Sequence, residues 1–183
     1  EYRAWGADVA TLARDPATLA EAKAQIEADA PGRKVVAISC DVAKAADIRR
    51  AYDEVMSAFG KIDIFVNNAG QSTRGPSETI TDEMWQADFD LKLIAQVRFC
   101  RLIYPQMKER RWGRIIYISS IMGLASKSGR NAYSATKSAV IGLALPTMLS
   151  IEFLPRGTQG DRWVLARMTA DGVPAGVGRS FGD

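Results

Sequence analysis

The sequence predicts an α/β fold, with a doubly wound parallel sheet between two layers of helices. Short apolar runs, typical of parallel strands buried on both faces, alternate with longer amphipathic stretches typical of helices. The order of strand then helix recurs, which favours right-handed crossovers within one sheet. At 183 residues and 47% hydrophobic content, the chain fits a single domain with a substantial core.

The individual elements follow from periodicity and from end signals. Thr81 is the predicted N-cap of a long helix, with Asp82 and Glu83 in its first turn. Pro146 should stop or kink the last helix, because an interior proline costs about 3 kcal/mol. The predicted strands cover residues 9–13, 35–39, 62–66 and 115–119, and the predicted helices cover residues 16–30, 44–59, 81–109 and 131–145.

Composition excludes several kinds of function. The net charge of +3 is spread along the chain, which argues against a nucleic-acid partner. Cys40 and Cys100 have neither metal-site nor disulfide spacing, which favours a reducing, cytoplasmic setting. No apolar run reaches the roughly 18 residues of a membrane span, and no signal peptide is evident. Because histidine is absent, Ser-His triads and His-ligated metals are excluded, and we expect no metal site.

Tyr133 and Lys137 are the first candidate catalytic pair. They are four positions apart, so both side chains project from one face of the last predicted helix. Free tyrosine titrates near pH 10, and a nearby ammonium favours the phenolate. Such a pair can exchange a proton with a substrate hydroxyl at neutral pH. The alternative is a surface pair, with the lysine stem lying along the helix.

Polar segments that follow two of the predicted strands support the catalytic interpretation. Ser119 and Ser120 end the strand at 115–119, and the segment Asn67-Asn68-Ala69-Gly70 follows the strand at 62–66. In parallel sheets, ligands bind beyond the carboxyl ends of the strands. Ser120 could hold the substrate oxygen there by a hydrogen bond. A simple turn is the alternative for the Asn-Asn-Ala-Gly segment, since asparagine and glycine both favour turns.

These motifs resemble the classical short-chain dehydrogenases/reductases over residues 6–145. The similarity lies in the Asn-Asn-Ala-Gly segment, a serine 13 positions before the tyrosine, and the Tyr-x-x-x-Lys element, in that order. The resemblance implies a Rossmann-type fold and hydride transfer between a nicotinamide cofactor and a small carbonyl or alcohol substrate. It implies Ser120, not Ser119, together with Tyr133 and Lys137, as the catalytic group.

The resemblance also implies the cofactor contacts and the assembly. Asp41 and Val42 would flank the adenine, while Asn68, Ala69 and Gly70, with Tyr133 and Lys137, would line the rest of the cofactor. Members of the family form dimers or tetramers, which implies a homodimer or homotetramer through the helices at 81–109 and 131–145. The candidate interface residues, which could equally be core, are Phe89, Leu93, Val97, Ala135 and Ala139.

Arg14 bears on the choice of cofactor. It follows the strand at 9–13, where an acidic residue would bind the ribose 2′-hydroxyl of NAD and an arginine favours the 2′-phosphate of NADP. NADP is therefore the preferred cofactor, with NAD possible. The alternative is an exposed loop arginine.

The glycine-rich phosphate turn of the family stands at an unexpected place. The family opens with a strand and a Gly-x-x-x-Gly-x-Gly turn, and this spacing occurs here at Gly172, Gly176, Val177 and Gly178, after a strand-like run at 163–170. If Asp183 were joined to Glu1, the glycine turn would precede the rest of the motifs, as it does in the family. This suggests a circular permutation. That hypothesis predicts the strand at 163–170 in the sheet centre, between those at 9–13 and 62–66. The alternative is a coincidence in the tail of an incomplete or frame-shifted product.

Two substitutions and one missing region count against activity. Asp171 stands where the family has threonine, so its carboxylate would repel a pyrophosphate. Lys92 stands where the family has an asparagine that holds a relay water; it would either depress the pKa of Lys137 or extend to solvent. The family's later lid elements are missing after residues 155–157. The second hypothesis is therefore a catalytically silent relative, either a cofactor-binding module or an incomplete fragment of such an enzyme.

Overall fold

The computed structural model describes residues 7–71 and 73–144, together with the backbone of two strands at 150–155 and 162–167. It divides into two compact units, residues 1–62 and 63–183. Within the described residues, no helix is long and apolar enough to cross a membrane. The predictions for Pro146, for Asp171 and for the turn at Gly172, Gly176, Val177 and Gly178 lie outside the described residues. The single-domain prediction stays a prediction.

The first unit alternates strand and helix, as predicted. It contains β1 (Val9–Ala13), α1 (Pro16–Asp29), β2 (Val35–Ser39) and α2 (Ala45–Phe59). The two strands are parallel, paired from Val9 opposite Val35 to Ala13 opposite Ser39. The predicted bounds of both strands are confirmed, and those of the two helices agree to within one residue.

Capping groups and a small apolar core explain where these helices lie. The Asp15 carboxylate caps α1 by accepting the backbone N–H groups of Ala17 and Thr18. Helix α2 ends at Gly60, whose φ of 73° is left-handed and favours glycine. The core beneath α2 is built around Ile38, Cys40, Ala51 and Val55. Burial raises the pKa of the Cys40 thiol to about 11, helped by the Asp47 carboxylate, so Cys40 is an inert core residue.

The second unit begins with β3 (Ile64–Asn67), α3 (Asp82–Phe89), α4 (Ala95–Glu109), β4 (Arg114–Tyr117) and α5 (Asn131–Ala144). Strands β3 and β4 are parallel, paired from Ile64 opposite Arg114 to Asn67 opposite Tyr117. The predicted N-cap is confirmed, because the Thr81 hydroxyl accepts the Met84 N–H.

The predicted helix over residues 81–109 is interrupted. A π-helical turn, Asp90–Ile94, separates α3 from α4. A π-turn holds an extra residue per turn, so it changes which side chains face inward. Asp88 and Lys92 are both buried at this turn. Apolar periodicity cannot reveal such a turn, because the buried residues here are charged.

The predicted central position of the strand near residue 163 is wrong. Strand β6 (Arg162–Arg167) pairs antiparallel with β5 (Ser150–Pro155) and meets β4 only through Arg114 opposite Arg167. The sheet order is therefore β3-β4-β6-β5, with β6 on the side of β4 away from β3. The short connection between β5 and β6 explains why these two strands are antiparallel, since a parallel pair needs a crossover of roughly a dozen residues or more. The strand order thus gives the permutation hypothesis no support.

Candidate functional site

Strands β3 and β4 bring the predicted polar segments to one edge of the sheet. The strands are parallel and end level, with Asn67 opposite Tyr117, and the Ile118 N–H donates to the Asn67 carbonyl at 3.0 Å. The segments after the two strands therefore leave the sheet together, where ligands of parallel sheets bind. The first of these segments is exposed, at Asn68, Ala69 and Gly70, and Ser120 in the second is half-buried.

Helix α5 is fixed against the end of β4 by contacts on both sides of Lys137. The Lys137 ammonium donates to the Ile118 carbonyl at 2.6 Å, and the Ser119 hydroxyl donates to the Lys137 carbonyl at 2.9 Å. Gly123 allows the close approach, because a Cβ there would lie 2.9 Å from the carbonyl carbon of Lys137. The Ser138 hydroxyl donates to the Gly123 carbonyl at 2.6 Å. These contacts set the register of the helix that carries Tyr133.

The two adjacent serines have different surroundings. Ser119 is buried, and its hydroxyl is used to hold α5. The Ser120 oxygen accepts the Met122 N–H at 3.2 Å, which leaves the hydroxyl hydrogen able to point to a ligand. This difference favours Ser120 over Ser119 as the substrate-binding serine, which stays a prediction.

Tyr133 lies beside two ammonium groups. The nitrogen of Lys92 is 5.1 Å from the centroid of the tyrosine ring, and that of Lys137 is 5.9 Å from it. Both distances are within the range of a cation–π contact. Lys137 is 5% exposed, so the alternative of a surface pair is wrong.

The pKa of the Lys137 ammonium is lowered to about 8. Burial is the main cause, since it disfavours the charged form. Repulsion by the Lys92 ammonium adds to the effect, and attraction by the Asp88 carboxylate opposes it. Lys137 therefore remains a cation at neutral pH and loses its charge as the pH rises through about 8.

Lys92 is wholly buried, so the expectation that it extends to solvent is wrong. Its nitrogen lies 2.5 Å from Oδ2 of Asp88, in a buried ion pair. The Thr73 hydroxyl donates to the other oxygen, Oδ1, at 2.5 Å. Burial lowers the pKa of Lys92, and Asp88 opposes that effect. Sequence reasoning missed Asp88 and Thr73, although the spacing of Asp88 and Lys92 is that of a helical ion pair.

The predicted cofactor residues of the first unit have local structural contacts as well. Arg14 is exposed. The Asp41 carboxylate accepts the Ala43 N–H at 3.1 Å, and Val42 packs against the core beneath α2. These contacts position the loop after β2. The predicted contacts of Arg14, Asp41 and Val42 with a cofactor stay predictions.

The residues after β3 fit the approach of a nicotinamide dinucleotide. Among the described residues, the nearest neighbours of a Cβ at Gly70 would be the Asn68 carbonyl oxygen and the Lys92 side chain, at 3.9 Å or more. The described residues therefore do not fill the space over this exposed backbone, which a planar ring could approach. The predicted phosphate turn lies outside the described residues. Within the described part of the chain, no cluster of three or more acidic or cysteine side chains could hold a metal.

The chain belongs to the short chain dehydrogenase family, whose defining pattern matches residues 1–152. L-sorbose reductase from Gluconobacter frateurii, solved with NADPH and L-sorbose, superposes with a TM-score of 0.75 at 31% identity, covering 78% of this chain and 54% of that one. A short-chain dehydrogenase from Streptomyces avermitilis gives a TM-score of 0.70 at 36% identity, covering 78% and 51%. The family resemblance and the Rossmann-type α/β fold predicted from the sequence are confirmed.

Curated relatives agree with this assignment. D-beta-hydroxybutyrate dehydrogenase from Cupriavidus necator is 36% identical over 128 residues, which are 70% of this chain and 50% of the relative. The 3-oxoacyl acyl-carrier-protein reductase FabG from Staphylococcus epidermidis is 35% identical over 117 residues, covering 64% and 48%. The chain thus spans about half the length of the curated relatives that it matches.

Proposed function

We propose that this chain acts in an oxidoreductase that transfers hydride between a nicotinamide cofactor and a carbonyl or alcohol substrate. The observation that carries the proposal is the placement of Tyr133 beside the buried Lys137, on a helix fixed to the end of β4. A phenol beside an ammonium can exchange a proton with a substrate oxygen, which carbonyl reduction and alcohol oxidation both require.

The chain's own residues perform the proton chemistry. The Tyr133 hydroxyl gives the proton to a carbonyl oxygen during reduction and takes it from a hydroxyl during oxidation. The Ser120 hydroxyl holds the same substrate oxygen by a hydrogen bond, and the Lys137 cation favours the phenolate. The bound nicotinamide supplies or accepts the hydride. Asn68, Ala69 and Gly70 would hold it, with Asp41 and Val42 at the adenine and the turn at 172–178 at the phosphates.

The direct test is a fluorescence titration of the purified chain with NADPH, followed by consumption assays. L-sorbose, a 3-oxoacyl thioester and, with NADP in the oxidative direction, D-beta-hydroxybutyrate are suitable substrates, because relatives act on compounds of these kinds. Saturable binding followed by turnover of any of them supports the proposal. Absence of binding at about millimolar NADPH contradicts it, since cofactor sites of working enzymes are filled below that concentration.

Gly70→Val provides a matched test of the binding surface. The Cβ of the new side chain would make only ordinary contacts with the described residues, so we expect the melting temperature to change little. We expect NADPH affinity to fall about tenfold or more, because the branched side chain covers the backbone that a ring would approach. Calorimetric melting and fluorescence titration measure the two effects. If the melting temperature falls together with the NADPH affinity, Gly70 has a structural role and not a role in binding.

We propose that NADP is preferred over NAD, on the basis of the exposed Arg14 after β1. Arg14→Ala should raise the Kd for NADPH about tenfold, the effect of losing one charge-assisted hydrogen bond. The Kd for NADH should change little, and Arg33→Ala, at another exposed loop of the same unit, is the control. If the Kd values for NADPH and NADH rise equally in Arg14→Ala, Arg14 does not bind the 2′-phosphate.

A catalytically silent cofactor-binding protein is the second candidate function. The observation in its favour is the buried Lys92–Asp88 ion pair beside Tyr133, where the family's relay asparagine is expected. Saturable NADPH binding without turnover of any substrate in the panel would establish this alternative.

We propose that the chain assembles as a homodimer or homotetramer in the cytoplasm. The candidate interface residues are only half-buried; they are Phe89, Leu93, Val97, Ala135 and Ala139. The proposed cytoplasmic setting is supported by the two cysteines, which are free thiols. Sedimentation equilibrium of the purified chain tests the assembly, and a monomer at all concentrations would contradict it.

A further inference from the structure

The described part of the chain places a second buried ammonium, that of Lys92, beside the ring of Tyr133. We propose that Lys92, held by Asp88, is a positioning residue that controls the charge of Lys137 and holds the tyrosine ring beside two cations. The catalytic consequence rests on the proposed function. The electrostatic coupling itself can be measured on the chain alone.

Lys92 is held rigidly from several directions. It lies on the π-turn between α3 and α4 and is fully buried. The Asp88 carboxylate pairs with it at 2.5 Å, and Thr73 fixes that carboxylate through its other oxygen. Its stem approaches the position of a Cβ at Gly70 to 3.9 Å. The ammonium therefore cannot move to solvent without breaking a buried ion pair.

The titratable groups around Lys137 come from three elements. Lys92 faces it from the π-turn and Asp88 from α3, while Tyr133 lies one turn earlier on its own helix. The two ammoniums lie 5.1 and 5.9 Å from the centroid of the same ring. Repulsion between like charges in a buried site is weakly screened, so each ammonium disfavours protonation of the other. Of the two charged neighbours, Lys92 has the larger effect on the pKa of Lys137.

This coupling changes what Lys137 can do. An isolated lysine keeps its charge to about pH 10.4, whereas Lys137 loses its proton on rising through about pH 8. The cation that supports the tyrosine is therefore sensitive to pH close to neutrality. With an uncharged residue at position 92, Lys137 would remain a cation to a higher pH.

The experiment is an NMR titration of the full chain labelled with 13C at the lysine ε-carbon, without cofactor, from about pH 6 to about pH 11. The Lys137 signal is identified by its loss in Lys137→Met. In Lys92→Met we expect the Lys137 midpoint to rise by about one pH unit or more, because a repulsive charge is removed. Lys92→Arg keeps the charge and should leave the midpoint near that of the unmodified chain. Lys108→Met, which removes an exposed charge from α4, should also leave it unchanged.

A double variant keeps the test decisive if Lys92→Met folds poorly. Lys92→Met with Asp88→Leu removes both charges, and the midpoint should still rise, by less than in the single variant. An unchanged midpoint in both variants overturns the proposal. In turnover assays the high-pH limb of activity should move upward with the midpoint. If the midpoint moves but the unmodified chain shows no turnover, the coupling is established and the proposed catalytic function fails.

Discussion

Replacing Tyr133 by phenylalanine should lower kcat by about 10²- to 10⁴-fold, the usual contribution of a positioned acid or base. The substitution removes only the hydroxyl. The aromatic ring that faces the Lys92 and Lys137 ammoniums is retained. We therefore expect the affinity for NADPH and the melting temperature to stay close to those of the unmodified chain. Steady-state kinetics, with the fluorescence titration as the binding measurement, separates the chemical step from binding.

Tyr104→Phe is the matched control for this experiment. Tyr104 lies on α4 and is exposed, so the same loss of a hydroxyl should leave kcat unchanged there. Full turnover by Tyr133→Phe would remove the tyrosine from the mechanism. A parallel loss of kcat and of NADPH affinity would indicate a structural or binding role instead.

The elements that frame the site could be predicted because their signals are local. The runs at 9–13 and 35–39 are strands with the predicted bounds, since apolar runs as short as these are too short for a typical helix. The Thr81 cap is equally local, because it needs only a hydroxyl and a backbone N–H three residues later. Likewise, Tyr133 and Lys137 share a face because helical geometry requires it.

The features that could not be predicted depend on which side chains the tertiary structure buries and on which strands it pairs. The burial of Lys92 requires Asp88 as its counter-ion and Thr73 to hold that carboxylate. An isolated lysine gives the opposite expectation, because burying an unpaired charge is strongly unfavourable. The antiparallel placement of β6 beside β5 likewise depends on a strand at 150–155 that had no place among the predicted elements.

Replacing Asp88 by leucine should lower the free energy of unfolding by about 3–5 kcal/mol, the effect of removing one partner of a buried ion pair. The Lys92 ammonium, wholly buried, would lose its counter-ion, and the Thr73 hydroxyl would lose its acceptor. Urea unfolding followed by circular dichroism measures the change. Asp82→Leu, at an exposed position in the first turn of the same helix, should change the free energy by only about 1 kcal/mol or less.

The double variant, Asp88→Leu with Lys92→Met, distinguishes an uncompensated charge from simple overpacking. Removing both charges eliminates the unpaired ammonium, and two apolar side chains of similar volume can occupy the same buried space. Replacing a buried ion pair in this way is often neutral or stabilising, so the double variant should regain most of the stability that Asp88→Leu loses. If it is as unstable as the single variant, the loss arises from packing around α3, and the ion pair is not what stabilises this part of the second unit.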